Sequence, residues 1–240
     1  MSAQAIEPSR SDEPFLGEQF ENRDQQDEAY TVGMWTFLAT EVMFFGALFL
    51  SYTLYRSLHP EVFRAAHHYL SVPMGTINTA VLLTSSFTMA LAVRASQLRQ
   101  RRVVMLFLAV TSVLALAFLV IKGFEWSHEF EERHLPGPTF QFSEHQPPGA
   151  TVTTAEAGRV GAVLPGDVPQ IFFVLYFAMT GLHAIHVIVG ILVMWGLIAL
   201  LAADSPLVRY YMPTEMAGLY WHFVDIVWIF LYPLFYLIPR

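Results

Sequence analysis

Seven ionisable side chains stand inside or at the edge of apolar stretches of this 240-residue sequence: Glu41, Lys122, Glu125, His183, His186, His222 and Asp225. A charged group near the centre of a membrane helix costs about 2.5–3.5 kcal/mol on insertion scales, so it normally faces protein and has a partner or a task. Glu41 lies within Thr-Phe-Leu-Ala-Thr-Glu-Val-Met-Phe-Phe-Gly. A carboxylate so isolated is either a proton-active, site-organising acid or a structural hydrogen-bonding group between helices. On both readings it is expected to be buried against another helix and not to face lipid. Lys122 is the only lysine and stands three residues before Glu125, a spacing that lets the two neutralise each other. Snorkelling of Lys122 to the interface is the bland reading, and a structural ion pair is favoured over a functional site.

His183 and His186 share a helical face, and His222, Asp225 and Trp228 share another. Histidine ligates haem and metals, so a b-type haem or a copper site has to be weighed. The spacing argues against it. Two histidines sit on adjacent turns of one helix, and only His222 answers from a second. Hydrogen bonding between helices or to headgroups is the expectation, with no metal in this chain. Phe223, Val227, Phe230 and Leu234 are expected to face lipid. His128, His134 and His145 lack regular ligand spacing, and His67 with His68 fits a short interfacial helix over residues 59–70 better than a metal site.

The elements that must carry these groups follow from composition. Hydrophobic residues make up 55% and charged residues 14%, which is a membrane composition. The absence of cysteine excludes disulfides, c-type haem attachment, iron–sulfur clusters and a thiolate copper site. Eight acids and two arginines precede Tyr30, so this tail carries −6 of the net charge of −7. Its polar composition predicts a disordered cytoplasmic tail over residues 1–29, without the pattern of a signal peptide. Five apolar segments follow, at about 32–52, 76–93, 103–122, 169–203 and 215–238, each long enough to cross about 30 Å of hydrocarbon. The predicted fold class is an all-α membrane protein, a bundle of five transmembrane helices over residues 30–240 with an external loop at 127–168. Arg94, Arg99, Arg101 and Arg102 crowd one short connection. That places the N-terminus in the cytoplasm and the C-terminus outside. Thr76, Ala80, Thr84, Thr88 and Ala92 recur every four residues as a small-residue stripe for close helix packing. Asn78 is expected to bond across to a neighbour, and Trp221 and Trp228 to pack between helices.

At Trp221-His-Phe-Val-Asp-Ile-Val-Trp-Ile-Phe-Leu the chain resembles subunit III of the haem–copper (cytochrome c) oxidases. Thr180-Gly-Leu-His-Ala-Ile-His-Val-Ile-Val-Gly is similar to the penultimate-helix motif of that family, and Ala39-Thr-Glu-Val-Met-Phe-Phe to the segment carrying its carbodiimide-reactive glutamate, here Glu41. Asn78-Thr-Ala-Val-Leu-Leu and Lys122-Gly-Phe-Glu-Trp resemble the motifs of the helices between. The mitochondrial form has two further helices at its start, and the five-helix bacterial form fits this chain. The resemblance implies a subunit of the bacterial inner membrane without a redox centre. Haem and copper would lie in partner subunits. It would contact subunit I directly, with subunit II and small subunits in the same complex, membrane lipid around it, bound phospholipid, and no role for nucleic acid. It also implies protection of subunit I, proton uptake and oxygen access. The alternatives are an accessory protein of a nitric oxide reductase, a stand-alone transporter using Glu41, and a b-type haem enzyme.

Overall fold

A backbone amide inside hydrocarbon has no water to bond, so an apolar segment there closes its own hydrogen bonds as a helix. The computed structural model describes residues 16–61, 63, 71–131, 167–208 and 210–237. Among them the protein is all-α, with α1 (Arg23–Leu58), α2 (Val72–Gln97), α3 (Arg101–Glu131), α4 (Asp167–Ala202), a 3-10 turn at Pro206–Val208 and α5 (Met212–Tyr236). Each of the five α-helices is long and apolar enough to span a membrane. Hydroxyls inside the spans bond back to their own helix: Thr111 donates to Phe107 O, Ser112 to Leu108 O and Thr180 to Tyr176 O, which removes the desolvation cost of a bare hydroxyl. At 36 residues each, α1 and α4 are about 54 Å long and exceed one crossing.

The polar start of α1 differs from the expected disordered tail. Asn22 caps the helix, its side chain accepting from Gln25 N at 2.9 Å, while Gln25 Oε1 accepts from Glu21 N at 2.9 Å. This reciprocal pair satisfies helix-start amides. Gly17 N donates to Gln26 Oε1 at 2.8 Å, and Tyr210 donates to Asp27 at 2.9 Å. Composition alone missed these local bonds. The Tyr210 hydroxyl is pushed well above the ordinary phenol value by its hydrogen bond with Tyr211, then by burial and Asp27, so it remains a donor. α3 likewise runs through Glu131 and takes the first residues of the expected loop. Residues 1–15, most of the proposed interfacial helix with His67 and His68, and loop residues 132–166 with His134 and His145 lie outside the described residues.

α5 is the hub. It packs on α1, α2 and α4, while α2 and α3 form a tight hairpin and α3 also packs on α4. Half of the α5 span is buried, against 17% for α1. This corrects the lipid-facing expectation: Phe223 and Val227 are buried, and the outward stripe is Ile226, Ile229 and Phe230. Three neighbours surround the helix, which leaves one narrow strip. At the C-terminal end of α5, Tyr52, Phe63, Phe172 and Phe235 meet edge to face at 4.9–6.0 Å, a favoured aromatic geometry. Tyr52 donates to Leu234 O at 2.6 Å, satisfying a helix-end carbonyl near the internal Pro233.

The α2 stripe behaves differently from expectation. Residues four apart advance about 400°, so the row drifts about 40° per step around the helix. Ala92 is buried and Thr88 meets Thr111 at 2.8 Å, but Thr76, Ala80 and Thr84 are exposed. Thr76 still reaches the Tyr232 hydroxyl at 2.7 Å. The closest approaches belong to glycines. A Cβ at Gly75 would stand 2.8 Å from the Tyr236 ring, one at Gly190 2.6 Å from the Trp221 ring, and one at Gly218 2.7 Å from Val93.

Candidate functional site

The ionisable groups fall into three places, each built where helices meet. The most enclosed contains Lys122, 2% exposed, on α3. Its ammonium donates to Glu125 at 3.1 Å, to the Tyr176 hydroxyl at 2.9 Å and to the Tyr236 hydroxyl at 2.6 Å. Both phenols in turn donate to Glu125 Oε1, Tyr176 at 2.7 Å. The ammonium also lies 4.8–5.4 Å from the ring centroids of Tyr176, Trp228 and Tyr236, within cation–π range. The expected ion pair is present, and the snorkelling alternative is corrected: the cation turns inward because carboxylate, phenols and rings together replace its water. Sequence reasoning missed Tyr176 and Tyr236. The available signal was spacing, since Tyr176 lies seven residues before His183 and Tyr236 eight after Trp228, two turns along the same faces.

The second place joins α1 to α4. Glu41 Oε2 and His186 Nε2 are 3.1 Å apart, with side chains 19% and 16% exposed. His186 Nδ1 is 2.8 Å from Leu182 O, an acceptor only, so Nδ1 carries a proton. That leaves Nε2 as the ring atom that meets the Glu41 carboxyl. Glu41 thus packs against another helix, as expected, but on the outer flank of the bundle it is half-buried and not enclosed as the sequence implied. Beside it, α1 and α5 line an apolar groove of about 480 Å³ that includes Trp35, Val42, Phe49, His222, Phe223 and Phe230.

The third place is the α2–α5 seam. His222 Nδ1 meets Ser86 Oγ at 2.8 Å, Trp221 donates to Ser85 at 3.2 Å and Trp228 to Thr79 at 3.1 Å. Trp228 links this seam to His183 of α4, which is 1% exposed and packs on Trp228 at 5.1 Å and on Phe118 of α3 at 5.5 Å. Neither His183 nitrogen has a protein partner, and neither do the amide atoms of Asn78, whereas the Asp225 carboxyl lies beside the Ser86 hydroxyl without a well-aligned hydrogen bond to it. The expected interhelical bonds of His183 and Asn78 are therefore corrected. Asn78 is fully buried, on the side of α2 that also buries Gly75, Leu82 and Met89. Leaving an amide unbonded costs about 1–3 kcal/mol, so Asn78→Leu is expected to stabilise the purified chain by up to that amount, read as a raised thermal or denaturant midpoint. A lowered midpoint would mean that the amide is bonded in the membrane. Among the described residues no group of three or more His, Cys, Asp or Glu side chains could hold a metal.

The sequence has counterparts among known proteins. A family model described as "Cytochrome c oxidase subunit III" matches residues 168–239. The "Heme-copper oxidase subunit I+III" of Aeropyrum pernix is 28% identical over 211 residues, 85% of this chain and 22% of that protein, so this chain spans under a quarter of that relative's length. The "Probable quinol oxidase subunit 3" of Staphylococcus aureus is 24% identical over 220 residues, 91% of this chain and 93% of the relative.

Proposed function

We propose that this chain belongs to the subunit III family of haem–copper oxidases, a reading its family match and relatives support, and that it is the non-redox subunit that packs on the catalytic subunit I and keeps it competent through repeated turnover. It is a multi-pass bacterial membrane protein, and its N-terminus is proposed to be cytoplasmic. The observation that carries the scaffolding reading is where its buried polar groups are spent. Glu41 and His186 tie α1 to α4, His222 and Ser86 tie α5 to α2, and the Lys122 cluster ties α3, α4 and α5. Such bonds hold a helix bundle in one arrangement. The fusion of I and III in the Aeropyrum relative supports direct contact with subunit I. A role in proton uptake rests on Glu41, whose partly open pair with His186 is positioned to exchange a proton at the flank. The α1–α5 groove supports retention of a phospholipid chain there. Haem and copper belong to the partners on this reading. The electron donor is cytochrome c or a quinol, the second favoured by the name of the Staphylococcus relative.

The test is purification through a tag on this chain, with absorbance and metal analysis of what co-purifies. Oxygen uptake is then driven by reduced cytochrome c or by a quinol. A haem–copper core is expected to come with the chain. Glu41→Ala is expected to leave the initial rate within about twofold, since no group at the reacting centre changes, and to shorten the active lifetime over many turnovers. A core that inactivates at the wild-type rate would remove Glu41 from the protective role, and recovery of the chain without haem or copper would remove the subunit reading.

A further inference from the structure

At one end of the bundle the α2–α3 connection and the turn after α4 face each other, and each passes through a non-glycine residue in the left-handed region, Arg99 at φ 56° and Asp204 at φ 54°. They are joined by Arg101, which donates to Asp204 at 2.8 Å and to Ala202 O at 3.0 Å. Between them lies a pocket of about 170 Å³ lined by Ser96, Arg99, Arg101, Asp204 and Ser205 over apolar side chains such as Val104. Arg101 and Asp204 offset each other, so Arg99 leaves the pocket positive. The Arg99 side chain is exposed and has no protein partner among the described residues, and Arg101 Nε is buried without one. A buried guanidinium N–H lacking an acceptor is costly and marks a place for one.

We propose that this pocket binds the phosphate group of a membrane phospholipid, with Arg99 and Arg101 Nε donating to its oxygens and the Ser96 and Ser205 hydroxyls completing the site. Arginine suits phosphate through its fork of donors. The pocket lies where the apolar spans end, the depth of lipid headgroups, and exposed Leu98 and Leu207 beside it offer surface for acyl chains. The occupant is therefore a phospholipid in preference to free phosphate, although both carry the same recognised group.

Native mass spectrometry of the full chain in detergent tests this with dioleoyl-phosphatidylglycerol, with dioleoylglycerol, which lacks the phosphate, and with inorganic phosphate as competitor. The wild type is expected to retain one phosphatidylglycerol in preference to dioleoylglycerol, Arg99→Ala to lower its affinity about tenfold through loss of a charged hydrogen bond, and Arg99→Lys to recover part of it. Arg102→Ala removes the same charge from the same connection without touching the pocket lining and is expected to change retention little. Displacement by millimolar inorganic phosphate would support the phosphate site and reassign its occupant to the free anion. Equal retention of dioleoylglycerol, or an equal loss in Arg99→Ala and Arg102→Ala, would overturn the site, the second outcome reducing it to diffuse surface charge.

Discussion

Lys122→Met is expected to cost the folded chain about 3–5 kcal/mol, because it leaves Glu125 and two phenols in a dry site without the cation they surround. Glu125 is 4% exposed, and its Oε1 is the shared acceptor for Lys122, Tyr176 and Tyr236. The ends of three helices meet there, so the loss is expected to appear in unfolding of the whole chain and not as local fraying. Replacing both charges separates the value of the pair from the penalty of breaking it. Lys122→Met with Glu125→Gln keeps an amide oxygen for the tyrosine hydroxyls and removes the uncompensated charge, and should recover most of the stability. Denaturation of the purified chain followed by tryptophan fluorescence reads both variants. A single variant as stable as the wild type would show that the cluster contributes no net stability.

Gly190→Ala is the second large effect. The added Cβ would stand 2.6 and 2.7 Å from two carbons of the Trp221 ring, and Trp221 has little freedom to retreat: it is 1% exposed and its indole donates to Ser85. Overpacking of this kind costs about 1–3 kcal/mol. It should also push α4 from α5, and with it the Tyr220 hydroxyl bond to His186 O at 2.9 Å. Gly196→Ala on the same helix is the control. A methyl added there would meet nothing within 4 Å, so helix propensity alone acts, with a gain of up to about 1 kcal/mol. Gly190→Ala combined with Trp221→Phe, which shortens the obstructing ring, should recover part of the loss. Thermal midpoints that fail to separate Gly190→Ala from Gly196→Ala would show that the seam is looser than its distances imply.

Much of the architecture was legible in the chain. Five spans, their order and their approximate limits follow from length and apolar content, since hydrocarbon leaves a backbone few choices. The short list of polar residues that had to face protein was legible for the same reason: an ionisable group is too costly on the lipid side. The Lys122–Glu125 pairing needed only helical spacing.

Which face of each helix meets which neighbour was not legible. In a membrane both the lipid side and the packed side are apolar, so hydrophobic periodicity loses the contrast it has in water. That is why Phe223 and Val227 read as lipid-facing while α5 buries them, and why an every-fourth-residue stripe on α2 looked like a seam. Its close contacts come instead from single glycines, Gly75 opposite the Tyr236 ring and Gly218 opposite Val93. The partners of the polar groups depend on tertiary packing in the same way. Tyr176 and Tyr236 lie 54 and 114 residues from Lys122, and Glu41 lies 145 from His186. The cost of a buried charge is local to its own segment and can be read there, whereas the group that relieves it is chosen by how five helices cross.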